Sequence, residues 1–523
     1  MTTTAITALV LGEAGFTEAT VSVDGNRITA VGLSPEDRAA LQGHAAEHVD
    51  AVGCWLIPGL IDAHAHGYAT LLRGTENSMP LELWALYTVM YGSAYDAAAM
   101  RAAILLGAAE RIRAGITGWI DHSPMVHLGE AALAAHAESG LRVGWAPFLH
   151  DISDYALMEL ELPPEVDRLA GSPPPLDLDA YAQRFGEFVQ ATKPDRVSVL
   201  LGPNAPQRCS ASAWALWRNL RDRYGVAVHT HLMETHAQAA VGARWPGGLV
   251  VEMERQGLLD DRLSVAHGIW LTRQERSVLA RHGVTLVHNP ASNLMLGSGI
   301  LPLADSRAAG LAVAIGTDSA NTGGRHDLFE AMRLAMMLPR VSGLEYEAWP
   351  RGRDVLDMAT RNGATVLGLR ETLGRIAPGQ LADLVLVRRE AASTLALAAS
   401  ESALVQHGGP ETVDAVMADG RWLMLDGRIV AFDEAAAIAA ARDAIAGLRE
   451  RTAAMLGAVA AAVRVCRTGS GGLGRRHRRL PRPESVGADW LLVRTRAHGH
   501  SPRPMDRPYR AHWLGRAPRG VVA

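Results

Sequence analysis

Eight short apolar runs, spaced through the middle of the chain and separated by helical periodicity, constrain the fold more than any other feature of the sequence. They begin at Pro58-Gly-Leu-Ile-Asp and recur at 116–121, 141–148, 196–201, 226–232, 263–267, 284–287 and 311–315. Helical patterns at 97–114, 129–139, 178–192, 211–224, 249–256, 272–281 and 302–309 lie between them. Continuous Val, Ile and Leu runs without polar alternation suit strands buried on both faces, and parallel strands need crossovers of about a dozen residues or more. The pattern predicts an α/β chain with a (β/α)8 TIM barrel over 58–370.

Both flanks of that span read as strands and turns. Residues 1–57 contain runs at 6–11, 19–23 and 27–31, with Asp24-Gly25-Asn26 as a hairpin signal. Residues 371–433 contain Gly379-Gln-Leu-Ala-Asp383 and further runs punctuated by Asp419-Gly420 and Asp426-Gly427. Together the flanks are expected to build a small β-sandwich beside the barrel, followed by a helix over 434–466. From 467 to 523 the chain turns rich in Arg, Pro, Gly and His, including Arg475-Arg476-His477-Arg478-Arg479. Such a segment buries too little apolar surface to offset its ordering entropy, so a solvated, disordered tail is expected.

Several of the apolar runs end in residues that bind metals or move protons. His64 and His66 stand two apart, so on a strand they share a face. Later runs end in His231, followed by Glu234, in His267 and in Asp318. In a barrel of this kind the carboxyl ends of the strands converge on one active site. Imidazole is the commonest metal ligand, and three protein ligands with an open position define a catalytic metal site. His229 shares a face with His231, one pleat deeper, and competes with it as a candidate ligand.

Composition excludes more than it identifies. A net charge of −4 predicts no nucleic-acid partner for the main body. Three cysteines, Cys54, Cys209 and Cys466, lie far apart without paired spacing, which argues against a disulfide framework and fits a reducing, cytoplasmic setting. The first residues lack a basic start and sustained apolar stretch, and no run reaches the length of a membrane span.

The motifs Pro58-Gly-Leu-Ile-Asp-Ala-His64-Ala-His66, Leu71-Leu-Arg73-Gly74, His231-Leu-Met-Glu234-Thr235, Ala266-His267-Gly, His288-Asn289-Pro290, Gly316-Thr-Asp318 and Gly379-Gln-Leu-Ala-Asp383 follow one another in order. In this the chain resembles the metal-dependent amidohydrolase superfamily, in particular its methylthioadenosine/S-adenosylhomocysteine deaminase and atrazine chlorohydrolase branch, over about residues 5–464. The resemblance implies His64, His66, His231 and Asp318 as metal ligands, with Glu234, His267 and Asp318 in the proton chemistry.

Binuclear relatives place a bridging Lys or carboxylate on strand 4. Here that strand reads Val197-Ser-Val-Leu-Leu-Gly202 and Lys193 precedes it, so one divalent ion is expected: zinc, with iron or manganese as alternatives. The implied activity is hydrolytic deamination of an amino-substituted N-heterocycle, a small-molecule substrate. Alternatives are displacement of chloride or an amine from a triazine-like ring and cyclic amide or imine hydrolysis; a non-catalytic scaffold ranks last because every ligand is present. Homo-oligomers are common among the proteins it resembles.

Methylthioadenosine deaminases usually carry His in a Gly-Pro-His-Ala-Pro segment, where this chain has Gly202-Pro203-Asn204-Ala205-Pro206, followed by Gln207. The substitution opens the substrate to other purines, pyrimidines, pterins or triazines, with Asn204, Gln207 and Trp84 as candidate substrate contacts. Asn293 is expected to bind backbone, and Cys209 to be an apolar filler.

Overall fold

The computed structural model describes residues 3–468 apart from 159–161, 163, 168–175, 193–195, 343–344 and 397. The tail expected over 467–523 lies, from residue 469 onward, outside the described residues, as does Lys193.

The chain opens with strands β1 (Thr4–Gly12), β2 (Gly15–Asp24) and β3 (Arg27–Gly32), a meander whose second turn pairs Asp24 with Arg27. A long β4 (Glu47–Pro58) then runs parallel to β1 and leads straight into the barrel. The crossing point is Gly59: a Cβ there would lie 2.0 Å from Thr117 Oγ1, so no other residue lets the two layers approach so closely.

The barrel strands are β5 (Leu60–Ala65), β6 (Ile116–Ser123), β7 (Arg142–Leu149), β8 (Val197–Val199), the short β9 (Gly202–Pro203), β10 (Val228–Leu232), β11 (Leu263–His267), β12 (Thr285–His288) and β13 (Ala312–Ile315). All pairings among them are parallel and fall into two arcs, β5-β6-β7-β8 and β10-β11-β12-β13, with β9 beside β7. Single parallel bridges at Leu201–Val228 and Ala65–Asp318 join the arcs and close the barrel. The eight apolar runs of the sequence are these strands, with β9 as a short continuation of the fourth.

Inside the barrel, Ile61, Ala63, Ile120, Ala146, Leu200, Val287 and Ala314 form one apolar cluster with Ala364, Val366, Leu367, Leu373 and Leu381. The outer faces of the strands pack on the helices, as Val228 and Leu232 do on β10, which leaves His229 and His231 of that strand for the interior.

The remaining strands are β14 (Leu384–Arg388), β15 (Val413–Ala418), β16 (Arg421–Leu425) and β17 (Arg428–Ile429). They join the N-terminal strands in one sheet ordered β17-β16-β15-β14-β4-β1-β2-β3, rather than the two facing sheets of a sandwich. The sheet curls instead of splitting, because the segment before β14 bonds to its far edge: Ile28 N–H donates to Gln380 O at 2.9 Å and Gly379 N–H to Ile28 O at 2.8 Å. Ile6, Val21, Ile28, Leu56, Leu384 and Met417 fill the space so enclosed. A helix over Glu434–Thr468 then returns to the barrel, where Glu434 receives both Nε (2.7 Å) and Nη2 (2.6 Å) of Arg113.

One buried ionic contact ties sheet to barrel. Arg142, at the start of β7, donates from Nη2 to Asp383 Oδ1 at 2.9 Å and to Asp419 Oδ1 at 3.0 Å, while Asp419 N–H donates to Asp383 at 2.9 Å. This gives the Gly379-Gln-Leu-Ala-Asp383 motif a structural purpose. Replacing Asp383 with Ala strips a carboxylate from a buried guanidinium, and stability should fall by about 3–5 kcal/mol. Urea unfolding checks this; an unchanged midpoint would show that the contact does not hold the two layers together.

Candidate active site

Four strand ends bring the histidines together. His64 lies on β5 with His66 just beyond it, His231 is on β10 and His267 closes β11, while Asp318 follows β13 after Gly316-Thr317. His231 Nε2 is 3.3 Å from His66 Nε2. Asp318 Oδ1 lies 3.4 Å from His66 Nε2 and 3.6 Å from His64 Nε2, and Asp318 Oδ2 is 3.8 Å from His267 Nε2. His64, His66 and Asp318 have ligand atoms within 4.8 Å of one another, as do His64, His231 and His267.

Each ring is held from behind. His66 Nδ1–H donates to His122 O at 2.5 Å, His231 Nδ1–H to Asn204 O at 2.7 Å and His267 Nδ1–H to Asn293 Oδ1 at 2.8 Å. For His64 the anchor is His229, and its tautomer can be deduced. Ser264 donates its hydroxyl to Val228 O at 3.1 Å, so its oxygen accepts from His229 Nδ1–H at 2.8 Å. Neutral His229 then has a bare Nε2, which accepts His64 Nδ1–H at 2.7 Å. Every Nε2 lone pair is thereby left facing the common centre.

Backbone strain sits at the same place. His267 has φ 75° and Asp318 φ 64°, in the left-handed region that L-residues avoid. The Asp318 turn is fixed from both sides: its N–H donates to His64 O at 2.9 Å, while Thr317 donates from N–H (2.8 Å) and Oγ1 (2.7 Å) to the buried Asp62 carboxylate.

Electrostatics suit a metal. Burial lowers His64 to about 4 despite the nearby Asp318, and burial likewise holds His231 and His229 well below the usual imidazole range, so these rings are neutral. Burial alone would raise Asp318; a hydrogen bond from His64 and positive charge on the surrounding imidazoles lower it well below the ordinary range, a role that a cation would take over where these rings are neutral. His64 Nε2 is buried with no hydrogen-bond partner. An unpaired buried acceptor, neutral rings and an ionised carboxylate are the donor set a divalent cation requires. A third grouping, His64 with His122 and His229, fits less well, because the side of His64 that faces His229 is already spent on their hydrogen bond.

Glu234 stands beside this centre, its Oε2 3.8 Å from His267 Nε2. Burial, then the carboxylates of Asp318, Glu82 and Asp154, push its pKa well up. A cavity of about 340 Å³ opens over His66, His231, Glu234, His267 and Asp318, walled by Leu81, Trp84, Met125 and Leu296 and, on its polar side, by Asn204 and Arg208. Val459 and Val463 of the C-terminal helix pack in the same apolar cluster as Trp84, so that helix backs the wall.

Of the substrate contacts expected from sequence, Trp84 and Asn204 line this cavity. Gln207 does not: it is buried in the turn Pro206–Arg208, away from the wall. Asn293 bonds the His267 ring through its side chain rather than bonding backbone. Asp121 accepts from Gly67 N–H at 2.8 Å and meets His136 Nε2 at 2.9 Å, a supporting contact beneath the site. Asp151 accepts from Ser210 N–H at 2.8 Å, which fastens one rim loop to the next. Cys209 is buried and its thiol is pushed far up by burial, which makes it inert. Ser264 carried no sequence signal because it acts on His229, 35 positions away on another strand, and Arg208 carried none because its contact with Asn204 depends on the conformation of the turn between them.

The protein belongs to the amidohydrolase family, whose model matches residues 55–423. It is thus a hydrolase of carbon–nitrogen bonds. The chain is 32% identical over 430 residues to a 5'-deoxyadenosine deaminase of Methanothermobacter thermautotrophicus, covering 81% of this chain and 93% of that protein. It is 30% identical over 411 residues to a 5-methylthioadenosine/S-adenosylhomocysteine deaminase of Thermococcus onnurineus, covering 78% and 90%. Among solved structures, an adenosine deaminase from Xanthomonas campestris with bound zinc superposes with a TM-score of 0.76 at 28% identity, over 86% of this chain and 98% of the other. Among the described residues no helix is long and apolar enough to cross a membrane.

The buried imidazoles give stability a pH dependence. His64 titrates near 4 in the folded chain and near 6.5 when unfolded, so between those values the unfolded chain binds more protons. Stability of the metal-free protein should therefore fall as pH drops from about 6.5 to 4, by up to about 1.4 kcal/mol per pH unit for this ring. His229 and His231 act in the same sense, and the raised Glu234 in the opposite one. Urea midpoints at pH 7 and pH 5 test it; an equal or higher midpoint at pH 5 contradicts the assignment.

Proposed function

We propose that this protein hydrolytically removes the amino group of an amino-substituted nitrogen heterocycle, with one divalent cation, zinc by preference, held by His64, His66, His231 and Asp318. The observation that carries the reading is the set of Nε2 atoms turned inward by their Nδ1 anchors around an ionised Asp318, with Glu234 alongside. One ion rather than two is favoured because the fourth strand and its extension, Val197 to Gly202, offer no bridging carboxylate or lysine. When bound, such an ion acts as a Lewis acid that makes water nucleophilic near neutral pH.

The chain's own groups handle the protons. Glu234, whose protonated form is favoured by burial and by the neighbouring carboxylates, delivers a proton to the ring nitrogen beside the amino-bearing carbon and so makes that carbon electrophilic. Asp318, which stays ionised, accepts a proton from the attacking water as the oxygen bonds to carbon. That proton passes to the amino group, the carbon–nitrogen bond breaks and ammonia leaves, and the remaining hydroxyl proton returns to Glu234 as the ring carbon becomes a carbonyl. His267, neutral and 3.8 Å from both carboxylates, orients the water between them. Leu81, Trp84, Met125 and Leu296 hold the flat ring and exclude solvent. The deaminase relatives support the reaction class.

An ammonia-release screen of purines, pyrimidines, pterins and triazines with metal-loaded enzyme tests the reaction. Glu234→Gln should lower kcat by about 10²–10⁴-fold, and Asp318→Asn at least as much. Full activity of both variants on every hit would rule out the proton path. His229→Ala should weaken zinc retention by about 10–100-fold in a chelator competition, since His64 loses the partner that aims it. Unaltered retention would mean that His229 does not orient a ligand.

A further inference from the structure

Asn204 and Arg208 stand together on the polar side of the cavity. Arg208 Nη1 lies 2.8 Å from Asn204 Oδ1. A guanidinium has only donors, so the carboxamide must turn its oxygen toward Arg208 and its amino group away from it. Within the described residues neither Asn204 Nδ2 nor Arg208 Nη2 forms a hydrogen bond.

Both residues are themselves held. Arg208 Nε donates to Ile152 O at 3.3 Å, and the Arg208 carbonyl accepts from Asp151 and Ile152 N–H at 3.1 and 3.0 Å. The Asn204 carbonyl accepts from His231, and Asn204 N–H donates to Leu149 O at 3.0 Å. Asp154 Oδ2, 3.6 Å from Arg208 Nη1, balances the guanidinium charge, so this wall does not call for an anionic substituent. Asp154 also lines the cavity, with its Oδ1 buried and without a hydrogen-bond partner, so the N–H donors offered to a neutral partner are those of Asn204 and Arg208, beside one carboxyl acceptor.

We propose that Arg208 is a positioning residue that locks the Asn204 carboxamide with its amino group toward the substrate, so that the site selects a ring bearing a neutral oxo acceptor on the edge facing this loop. This rests on the deaminase reading and narrows it from amino-heterocycles in general to amino-oxo rings. A free carboxamide could rotate and serve a donor or an acceptor equally; a locked one cannot. A ring with an amino group at that edge would set donor against donor and leave buried N–H groups unpaired, which is how polar sites reject close analogues.

The test uses full-length, metal-loaded protein and pairs of rings that differ only in an oxo or amino substituent: cytosine against 2,4-diaminopyrimidine, and isoguanine against 2,6-diaminopurine. Wild type should favour the oxo member by about tenfold or more in kcat/KM, chiefly through KM. Arg208→Met, which frees the carboxamide, should bring the ratio to within about threefold, while Arg208→Lys, still a donor, should retain it. Asn204→Asp keeps the partner of Arg208 and presents an acceptor to the ring, so the preference should invert. Equal or better use of the amino member by wild type, or an unchanged ratio in Arg208→Met, overturns the proposal. Ammonia release only from rings without an oxo group overturns it while leaving the deaminase reading intact; no release from any amino-heterocycle removes both.

Discussion

The hydrogen bonds behind the histidines are the constraint on which the site depends. An imidazole has two nitrogens, and only the one left unprotonated can serve a cation, so the Nδ1 partners decide what the centre can do. Three of those partners are oxygens that can only accept, namely the carbonyls of His122 and Asn204 and the Asn293 side-chain oxygen. The fourth, His229, can either donate or accept, and it is the Ser264 hydroxyl, committed to Val228 O, that settles which. A serine on β11 thereby sets the proton position on a histidine of β5, two hydrogen bonds away.

The strained carboxylate follows the same logic. Asp318 occupies a left-handed backbone conformation only because the turn before it is clamped to Asp62 and its own N–H is taken by His64 O. Asp62 is fully buried and lies 3.5 Å from Arg111 Nε, whose guanidinium lies 3.6 Å from the centre of the Trp119 ring. Burying a carboxylate and a guanidinium is costly unless they meet each other and good hydrogen-bonding partners. Here that cost fixes the first strand against the loop after the last, which is where the barrel closes by a single bridge at Ala65–Asp318. Barrel closure and placement of the Asp318 carboxylate are one structural event.

Much of this was legible beforehand for a simple reason: strand periodicity and the carboxyl-end rule are local. The apolar runs marked the strands, and His64, His66, His231, His267 and Asp318 each end one or follow closely, so a barrel assembled from those runs had to gather them. His229 was ambiguous because strand pleat alone puts it on the face of His231; only the Ser264 contact, from another strand, makes it an anchor. Gln207 looked equivalent to Asn204 by proximity in sequence, yet the tight turn Pro206–Arg208 buries it away from the cavity wall. The flanks announced strands but not their arrangement, since a sandwich and one curled sheet share the same alternation.

By itself the sequence determined the strand and helix alternation, the residues at the strand ends and hence the kind of chemistry available, because these depend on neighbours a few positions away. Tertiary structure alone decided which nitrogen of each ring faces inward, how Asp318 is bent into place and which way the Asn204 amide turns. Those outcomes rest on hydrogen bonds between groups that meet only after folding, where burial makes an unpaired polar atom too costly to leave and so forces a single arrangement.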